Sequence, residues 1–561
     1  MTAHNFDPTI LRAYDIRGQV GSTLSADDAF AIGNIFASFL PKKGAAPRIA
    51  VGRDGRLTSP ELADALCNGL VAAGCHVIDI GVGPTPMLYF ADRILSCDGA
   101  IQVTGSHNPP DYNGFKIVLG HHSFFGDKIT ELGVRAAAGL IKADGGHREE
   151  KSVFDAYIAR LVKQADFGTL SIVWDAGNGA AGPATEAMLA ALSDKGGAQG
   201  THKALYCDID GHFPNHHPNP VDPETLESLR EQVGAMGADC GIGFDGDGDR
   251  IGLVDSKGRQ IAGDILTAFL ATDILTRNPG ADIIFDVKSS ALAMQIVHDA
   301  GGTPHLWKTG HSHMKQKLHE TGAPLAGEMS GHIFIADGDY GFDDALYVAS
   351  RLVTQIAKRT AETGMSITDF MDSLPETFTT PECRIDCPDT EKFGVMARLS
   401  EAVSNDHAPD SVNVTDGVRV TTSKGWWLIR ASNTEAALVA RAEGTDAVIC
   451  DRFVDSTYVY QGLAHQIDFA SLEALHEFAC AGLTPDITFL LDVPVEQGLK
   501  RAKIRSDSSA DSESRFEEKG STFHAKVREG FLSLATRFSD RFVVVDASGT
   551  PDETDKHVRN A

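Results

Sequence analysis

The 561-residue sequence contains no apolar run long enough to span a bilayer, and its opening MTAHNFDPTI lacks the pattern of a secretory leader. A cytoplasmic protein without membrane segments is therefore expected. Nine cysteines are scattered without metal-site spacing, and Cys383 and Cys387 form only a C-x3-C in an ion-poor stretch, so reduced thiols are expected. No G-x4-G-K-[ST] loop is present: the pairs Lys151-Ser152, Lys288-Ser289 and Lys308-Thr309 are not preceded by glycine, which excludes that phosphate cradle. Basic residues are in short supply, 50 against 77 acidic ones, for a net charge of −27. That balance argues against nucleic acid and membrane surfaces as partners. It would also repel a phosphorylated ligand at long range, but salt screens exposed charges beyond about 8 Å. Local cations can then govern binding, and Arg17, Lys116, Arg250, Lys308 and Arg430 are the candidates.

What the chain does have is an ordinary globular composition, 42% hydrophobic and 23% charged, and four unusual loops. The first is TGSHNPP at 104–110, after the strand-like AIQVT. Gly105 frees the backbone beside Ser106, and Asn108-Pro109-Pro110 stiffens the exit, so a serine hydroxyl is rigidly presented. A nucleophile or phosphate carrier fits that presentation, as does a plain turn that stops a strand. The second is FDGDGDRIG at 244–252, where Asp245, Asp247 and Asp249 alternate with glycine and can converge on one hard cation. An EF-hand starting at Asp245 fails, since its sixth and twelfth positions hold Arg250 and Ser256. The overlapping GIGFDG formally matches G-x-G-x-x-G, but strand-like IGLV follows it rather than a helix. The third loop, GEMSGH at 327–332, offers Glu328 and Ser330 to ligand hydroxyls and a titratable His332. The fourth, RASNTE at 430–435, combines Arg430 with Ser432, Asn433 and Thr434, the composition of a phosphate clamp.

In order and spacing these loops resemble the α-D-phosphohexomutase family, in its phosphomannomutase/phosphoglucomutase branch, over residues 6–444. YDIRG (14–18), GRDGR (52–56), WDAGNGAAG (174–182), GHFPNHHP (211–218) and WKTGH (307–311) match as well. One departure is Ala436, where the family usually has proline; the donors of that loop are unaffected. The resemblance implies an α/β fold: three similar mixed α/β domains and a smaller α+β fourth domain around a central cleft. We place these at 1–148, 149–259, 260–373 and 374–444, the first ending before the polar run at 144–152. The texture of the chain agrees, with apolar runs preceding glycine-rich loops in the first three stretches and strand-dominated sequence in the fourth.

Beyond Gly444 the sequence departs from a mutase. DAVICDRFVDSTYVYQG, PDITFLLDVPVEQGLKRAKIR and RFVVVDAS resemble the latter part of thymidylate kinase, giving a partial P-loop-kinase-like α/β tail at 445–561. Asp451-Arg452, Ser456, Tyr460 and Gln461 match that family's nucleotide-binding helix entry, and Arg501, Arg505 and Arg515 its basic lid. The phosphate loop and first kinase strand are missing. DAVIC, ITFLL and RFVVV read as central parallel strands that lack part of their cover, and SDSSADSES (506–514) is of low complexity.

The resemblance implies a hexose 1-phosphate/6-phosphate mutase acting on mannose, glucose or both through a phosphoserine at Ser106 and a 1,6-bisphosphate. Its metal would be Mg²⁺, held by Asp245, Asp247, Asp249 and the phosphoserine, with glucose or mannose 1,6-bisphosphate as activator. Lys116, Arg17, His311 and His332 would be catalytic. Tyr14, Arg250, Lys288, Glu328, Ser330, Arg430, Ser432, Asn433 and Thr434 would bind substrate, and the mutase part would be monomeric. Two alternatives stand beside this: a hexosamine-phosphate mutase, against which GEMSGH argues, and an impaired fusion whose tail only binds nucleotide or scaffolds.

Overall fold

The computed structural model describes residues 3–41, 46–380, 382–388, 390–406, 408, 411–432, 436–444, 453–463, 468–480, 484–485, 487–506, 521–550 and 553–554. The chain divides into two compact units, Met1–Thr377 with Ile385–Glu443, and Phe378–Arg384 with Gly444–Ala561.

In the first unit one topology is used three times. Arg48–Arg53, His76–Val82, Gly99–Val103 and Tyr112–Leu119 form the first set of four strands. The second strand pairs in parallel on one side of the first, the third in parallel on the other side, and the fourth antiparallel beyond the third. Ile172–Asp175, His202–Leu205, Cys240–Phe244 and Ile251–Asp255 repeat that order, as do Asp282–Asp286, Thr303–Trp307, Leu325–Gly327 and Ile333–Ile335. The three domains are thus similar, as expected. Parallel strands must be covered on both faces. Accordingly Gly99–Val103, Ile172–Asp175 and Cys240–Phe244 are buried at every position. Trp174 is fully buried, with Phe167 and Phe244 stacked at ring distances of 5.7 and 6.4 Å; truncation there would cost about 3–5 kcal/mol.

The order places a switch point between the first and third strands of each set, where connections leave in opposite directions and ligands find a crevice. Each sheet delivers one of the unusual loops there: 104–111, 245–250 and 328–332 each join a third strand to its antiparallel fourth. GIGFDG accordingly leads into a strand, not into a dinucleotide-binding helix.

The polar run near the end of the first domain forms a strand, His147–Glu150, parallel to His76–Val82. It is exposed at all its positions, so it shows no apolar alternation to read. It is held by a His76–His147 ring stack at 3.9 Å and by Arg148, which bonds Asp64 and Asp79. Charged residues suit an edge strand.

The fourth sheet of this unit contains Val412–Asn413, Val418–Thr422, Gly425–Ala431 and Ala437–Gly444, neighbours in that order. In the second unit Thr488–Asp492 pairs in parallel with Phe542–Asp546. This pair leaves Ile487, Phe489, Leu491 and Val544 exposed. DAVIC and most of SDSSADSES lie outside the described residues.

Gly331 joins the second and third sheets: its carbonyl accepts from Ile251 N, its φ is +86°, and a Cβ there would stand 2.4 Å from Ile251 O. Gly331→Ala should destabilise the first unit by about 1–3 kcal/mol. Denaturant unfolding followed by tryptophan fluorescence checks this, and an unchanged midpoint would show that the contact yields freely.

Candidate active site

The serine loop is set by a buried arginine. Arg56 Nη1 donates to the carbonyls of Pro109 (2.6 Å) and Tyr112 (2.9 Å), and Nη2 to those of Ser106 (2.7 Å) and Asn108 (2.6 Å). Asp54 accepts from Gly105 N at 3.1 Å, and Thr104 Oγ1 from Ser106 N at 2.9 Å. These contacts hold Ser106 at φ +50°, a left-handed conformation uncommon for a residue with a side chain. Neither Arg56 nor Asp54 was among the residues chosen from sequence, although GRDGR carries both.

Ser106 Oγ lies 3.0 Å from Asp245 Oδ2 and 3.1 Å from His107 Nδ1. Close approach of the two loops requires glycine, since a Cβ on Gly246 would meet Ser106 O at 2.5 Å. Asp245, Asp247 and Asp249 are fully buried, with ligand oxygens within 4.8 Å of one another. Lys116 extends from the neighbouring strand and bonds Asp247 Oδ2 at 2.7 Å and also Asp249. Burial opposes ionisation of Asp247, but Lys116 overrides it and holds the carboxyl below the usual range. Asp245 is pushed well up by burial and by its two carboxylate neighbours. Among the described residues, Oδ1 of Asp247 and Oδ1 of Asp249 are buried without a hydrogen-bond partner. Three converging carboxylates, one ammonium and two orphaned oxygens fit a divalent cation with hard oxygen ligands.

A second group faces the first. His332 Nε2 accepts from Arg250 Nε at 2.9 Å, so a neutral ring carries its proton on Nδ1. Nδ1 is 3.2 Å from Asp343 Oδ2 and 3.7 Å from Asp249 Oδ1. Asp249, His332 and Asp343 thus form a second buried group whose ligand atoms converge within 4.8 Å, and among the described residues His332 Nδ1 and Asp343 Oδ2 have no hydrogen-bond partner. Asp343 also receives Lys315 at 2.9 Å and lies 3.7 Å from His311 Nδ1. Burial, then Lys315, drives His311 well below the ordinary histidine pKa, leaving it neutral. Asp343 was missed from sequence; the signal was the Asp343-Asp344 pair before an apolar helix. Asp344 caps Ala345–Thr363 and leaves its neighbour for the site.

The remaining candidates line the same region. Glu328 accepts from Gly310 N at 2.6 Å and from Ser330 Oγ at 3.0 Å, and burial raises its pKa. Lys288 is close enough for its charge to act on Glu328. Arg17 bridges Asp15 (2.6 Å) and Asn108 of the serine loop (2.8 Å). Tyr14 OH donates to Thr309 O at 3.0 Å, and Thr309 N to Asp416 at 3.1 Å. Arg430 pairs with the same Asp416, another residue missed from sequence, at 3.0 Å. Ser432 O accepts from Lys392 Nζ at 2.6 Å, while Asn433 and Thr434 lie outside the described residues. In the second unit Arg501 bonds the carbonyls of Ala547, Ser548 and Gly549 at 2.6–2.8 Å. Asp451, Arg452, Arg515 and the Arg505 side chain lie outside the described residues. Among the described residues no helix is long and apolar enough to cross a membrane.

Family profiles match the chain in order: Phosphoglucomutase/phosphomannomutase alpha/beta/alpha domain I at 8–135, domain II at 155–258, domain III at 262–378 and the C-terminal domain at 382–458. A Thymidylate kinase profile matches 428–558 and overlaps the last of these. A phosphomannomutase/phosphoglucomutase of Pseudomonas putida is 43% identical over 80% of this chain and 94% of its own length. A phosphoglucomutase of Neisseria gonorrhoeae is 40% identical, over 79% and 94% respectively. The crystal structure of a phosphoglucomutase/phosphomannomutase family protein from Burkholderia thailandensis superposes with a TM-score of 0.71 at 42% identity, covering 79% of this chain and 94% of that one.

His216 braces the loop at 211–218 through Asp175, with Nε2 3.1 Å from both carboxylate oxygens. Burial alone would lower its pKa, but the bond to Asp175 outweighs burial and raises it. The stabilisation is therefore fully present below the unfolded histidine pKa of about 6.5 and is lost as pH rises through the folded value. The melting temperatures of wild type and His216→Phe should differ most at and below about pH 6 and converge on the alkaline side. A gap that widens with pH would contradict a charged His216.

Proposed function

The chain belongs to the phosphoglucomutase/phosphomannomutase family, and on that premise we propose that it interconverts the 1- and 6-phosphates of glucose, mannose or both through a phosphoserine at Ser106. The observation that carries this reading is the buried contact of Ser106 Oγ with the Asp245 carboxylate, beside Lys116. In the first half-reaction the bond from phosphorus to Ser106 Oγ breaks as the free sugar hydroxyl bonds to phosphorus. The electron pair returns to Ser106, the hydroxyl proton goes to a base, and a 1,6-bisphosphate results. After the sugar turns over, its other phosphate returns to Ser106, so no phosphate is consumed overall.

The metal is Mg²⁺ in this reading, held by Asp245, Asp247, Asp249 and the phosphoserine; when bound it supplies positive charge to the phosphoryl oxygens. Lys116 neutralises charge on Ser106 Oγ as that oxygen leaves. Glucose or mannose 1,6-bisphosphate serves as activator by restoring the phosphoserine. His332 is the base once Arg250 turns to a substrate phosphate and releases Nε2; Asp343 keeps the ring proton on the far nitrogen. His311, neutral and stacked 5.6 Å from His332, is the second proton acceptor, and Arg17 supports the reacting group beside Asn108. Glu328 and Ser330 hold sugar hydroxyls, with Tyr14 and Lys288 beside them. Arg430 and Ser432, with Asn433 and Thr434, grip the unreactive phosphate.

Ser106→Ala should remove conversion of glucose 1-phosphate to glucose 6-phosphate and the single extra phosphate seen by intact-mass measurement. Retention of that phosphate would refute Ser106 as its carrier. Asp247→Ala should slow turnover at least about 10²-fold, and full activity of the variant in EDTA would make the loop purely structural. His332→Ala should lower kcat by about 10²–10⁴-fold; an altered KM at constant kcat would make it a binding residue.

For the tail we propose a non-catalytic role. Among the described residues Arg501, Arg528, Arg537 and Arg541 are each engaged by protein groups: carbonyls, Asp492, Glu473 and Asp455. Without a phosphate loop they do not assemble a triphosphate site. The purified chain should not phosphorylate dTMP from ATP, and dTDP formation above background would overturn this.

A further inference from the structure

The turn 286–290, which carries Lys288, is held from its own domain and from the fourth sheet. Arg419 lies on Val418–Thr422, is fully buried, and donates through Nη1 to the carbonyls of Val287 (2.7 Å) and Ser289 (2.6 Å). Those are the two residues flanking Lys288. The guanidinium lies over Trp426, 3.8 Å from the ring centroid, and burial lowers its pKa only to about 10, so it stays charged at neutrality. Among the described residues its Nε and Nη2 have no hydrogen-bond partner. A buried unsatisfied donor typically costs about 1–3 kcal/mol, which the aromatic face offsets only in part. An arginine kept under those terms is poorly explained by stability alone.

Glu443 supplies the other half of the grip. Its Oε1 accepts from Ser290 Oγ at 2.9 Å, Ala291 N at 3.0 Å and Trp426 Nε1 at 3.0 Å. A carboxylate thus sits at the positive end of the helix Ala291–Asp299, immediately after the turn. From the third domain itself, Asp264 accepts from Ser290 N at 2.7 Å and Asp286 from Ser289 Oγ at 2.7 Å. The backbone around Lys288 is therefore fixed jointly by two domains, and its carbonyls face the fourth sheet.

We propose that Arg419 and Glu443 are positioning residues for Lys288, through which docking of the fourth sheet sets the reach of that ammonium into the sugar site. The inference rests on the reading of Lys288 as a substrate ligand. Neither residue needs to touch substrate. Lysine would not fully replace Arg419, because an ammonium can serve the two carbonyls that Nη1 serves but cannot lie flat on the indole of Trp426.

The test is a double-mutant cycle in the full-length protein with Arg419→Met and Lys288→Ala, read by calorimetric binding of glucose 6-phosphate and by mutase kinetics. Arg419→Met should weaken binding and raise KM by about tenfold, with kcat changed by less than about threefold. In the Lys288→Ala background the same substitution should add less than about twofold, since both act through one contact. Additive losses would overturn the positioning role while leaving Lys288 as a ligand. No effect of Lys288→Ala alone would overturn the Lys288 reading and the inference with it. If Arg419→Met does not fold, Glu443→Gln in the same cycle carries the test, with the same two outcomes decisive.

Discussion

Three carboxylates fully removed from water at the end of one strand are held together by charge of the opposite sign, and much of the first unit is arranged around supplying it. Lys116 reaches in from the neighbouring domain to bond two of them, and Ser106 offers its hydroxyl to the third. Even so, one ammonium cannot balance three acids, and two carboxylate oxygens have no donor among the described residues. The loops of the first and second domains are thereby bound to each other through a site that calls for a further cation. Their packing follows from it: Gly246 lets the acidic loop lie against the serine carbonyl, and Gly331 lets the third loop lie against the exit of the second.

Repetition makes this convergence possible. Each of the first three domains sends its functional loop from the third strand of the same four-strand order, at the same switch point. A similar brace recurs, with Asp54 accepting from Gly105 N in the first domain and Asp286 from Met329 N in the third. One architecture thus presents the serine loop, the acidic loop and the GEMSGH loop, which differ only in sequence.

The candidate-site residues concentrate in short loops rich in glycine, proline and paired polar residues. Asp245, Asp247 and Asp249 stand out on their own, whereas Ser106, Glu328 and His332 gain weight only from the company of the other loops. Their supports are less legible. Arg56, Asp343, Asp416, Arg419 and Glu443 act over long sequence separations, so their partners cannot be read from the residues beside them. The strand His147–Glu150 was hidden for a related reason: an exposed edge strand carries no apolar period. The order of domains was readable, whereas the junction at the fourth was not sharp, since 428–458 satisfies two family profiles at once.

The left-handed backbone of Ser106 restricts what chemistry this position can be given. Glycine, asparagine and aspartate tolerate that conformation, whereas a β-branched side chain is strained there. Threonine, which carries the same hydroxyl and would be an equivalent phosphate carrier in most loops, is therefore a poor substitute. Aspartate, by contrast, fits the backbone but sets a fourth carboxylate beside Asp245, which the single ammonium of Lys116 does not balance. Backbone and charge together leave serine as the residue that keeps a hydroxyl here at least cost.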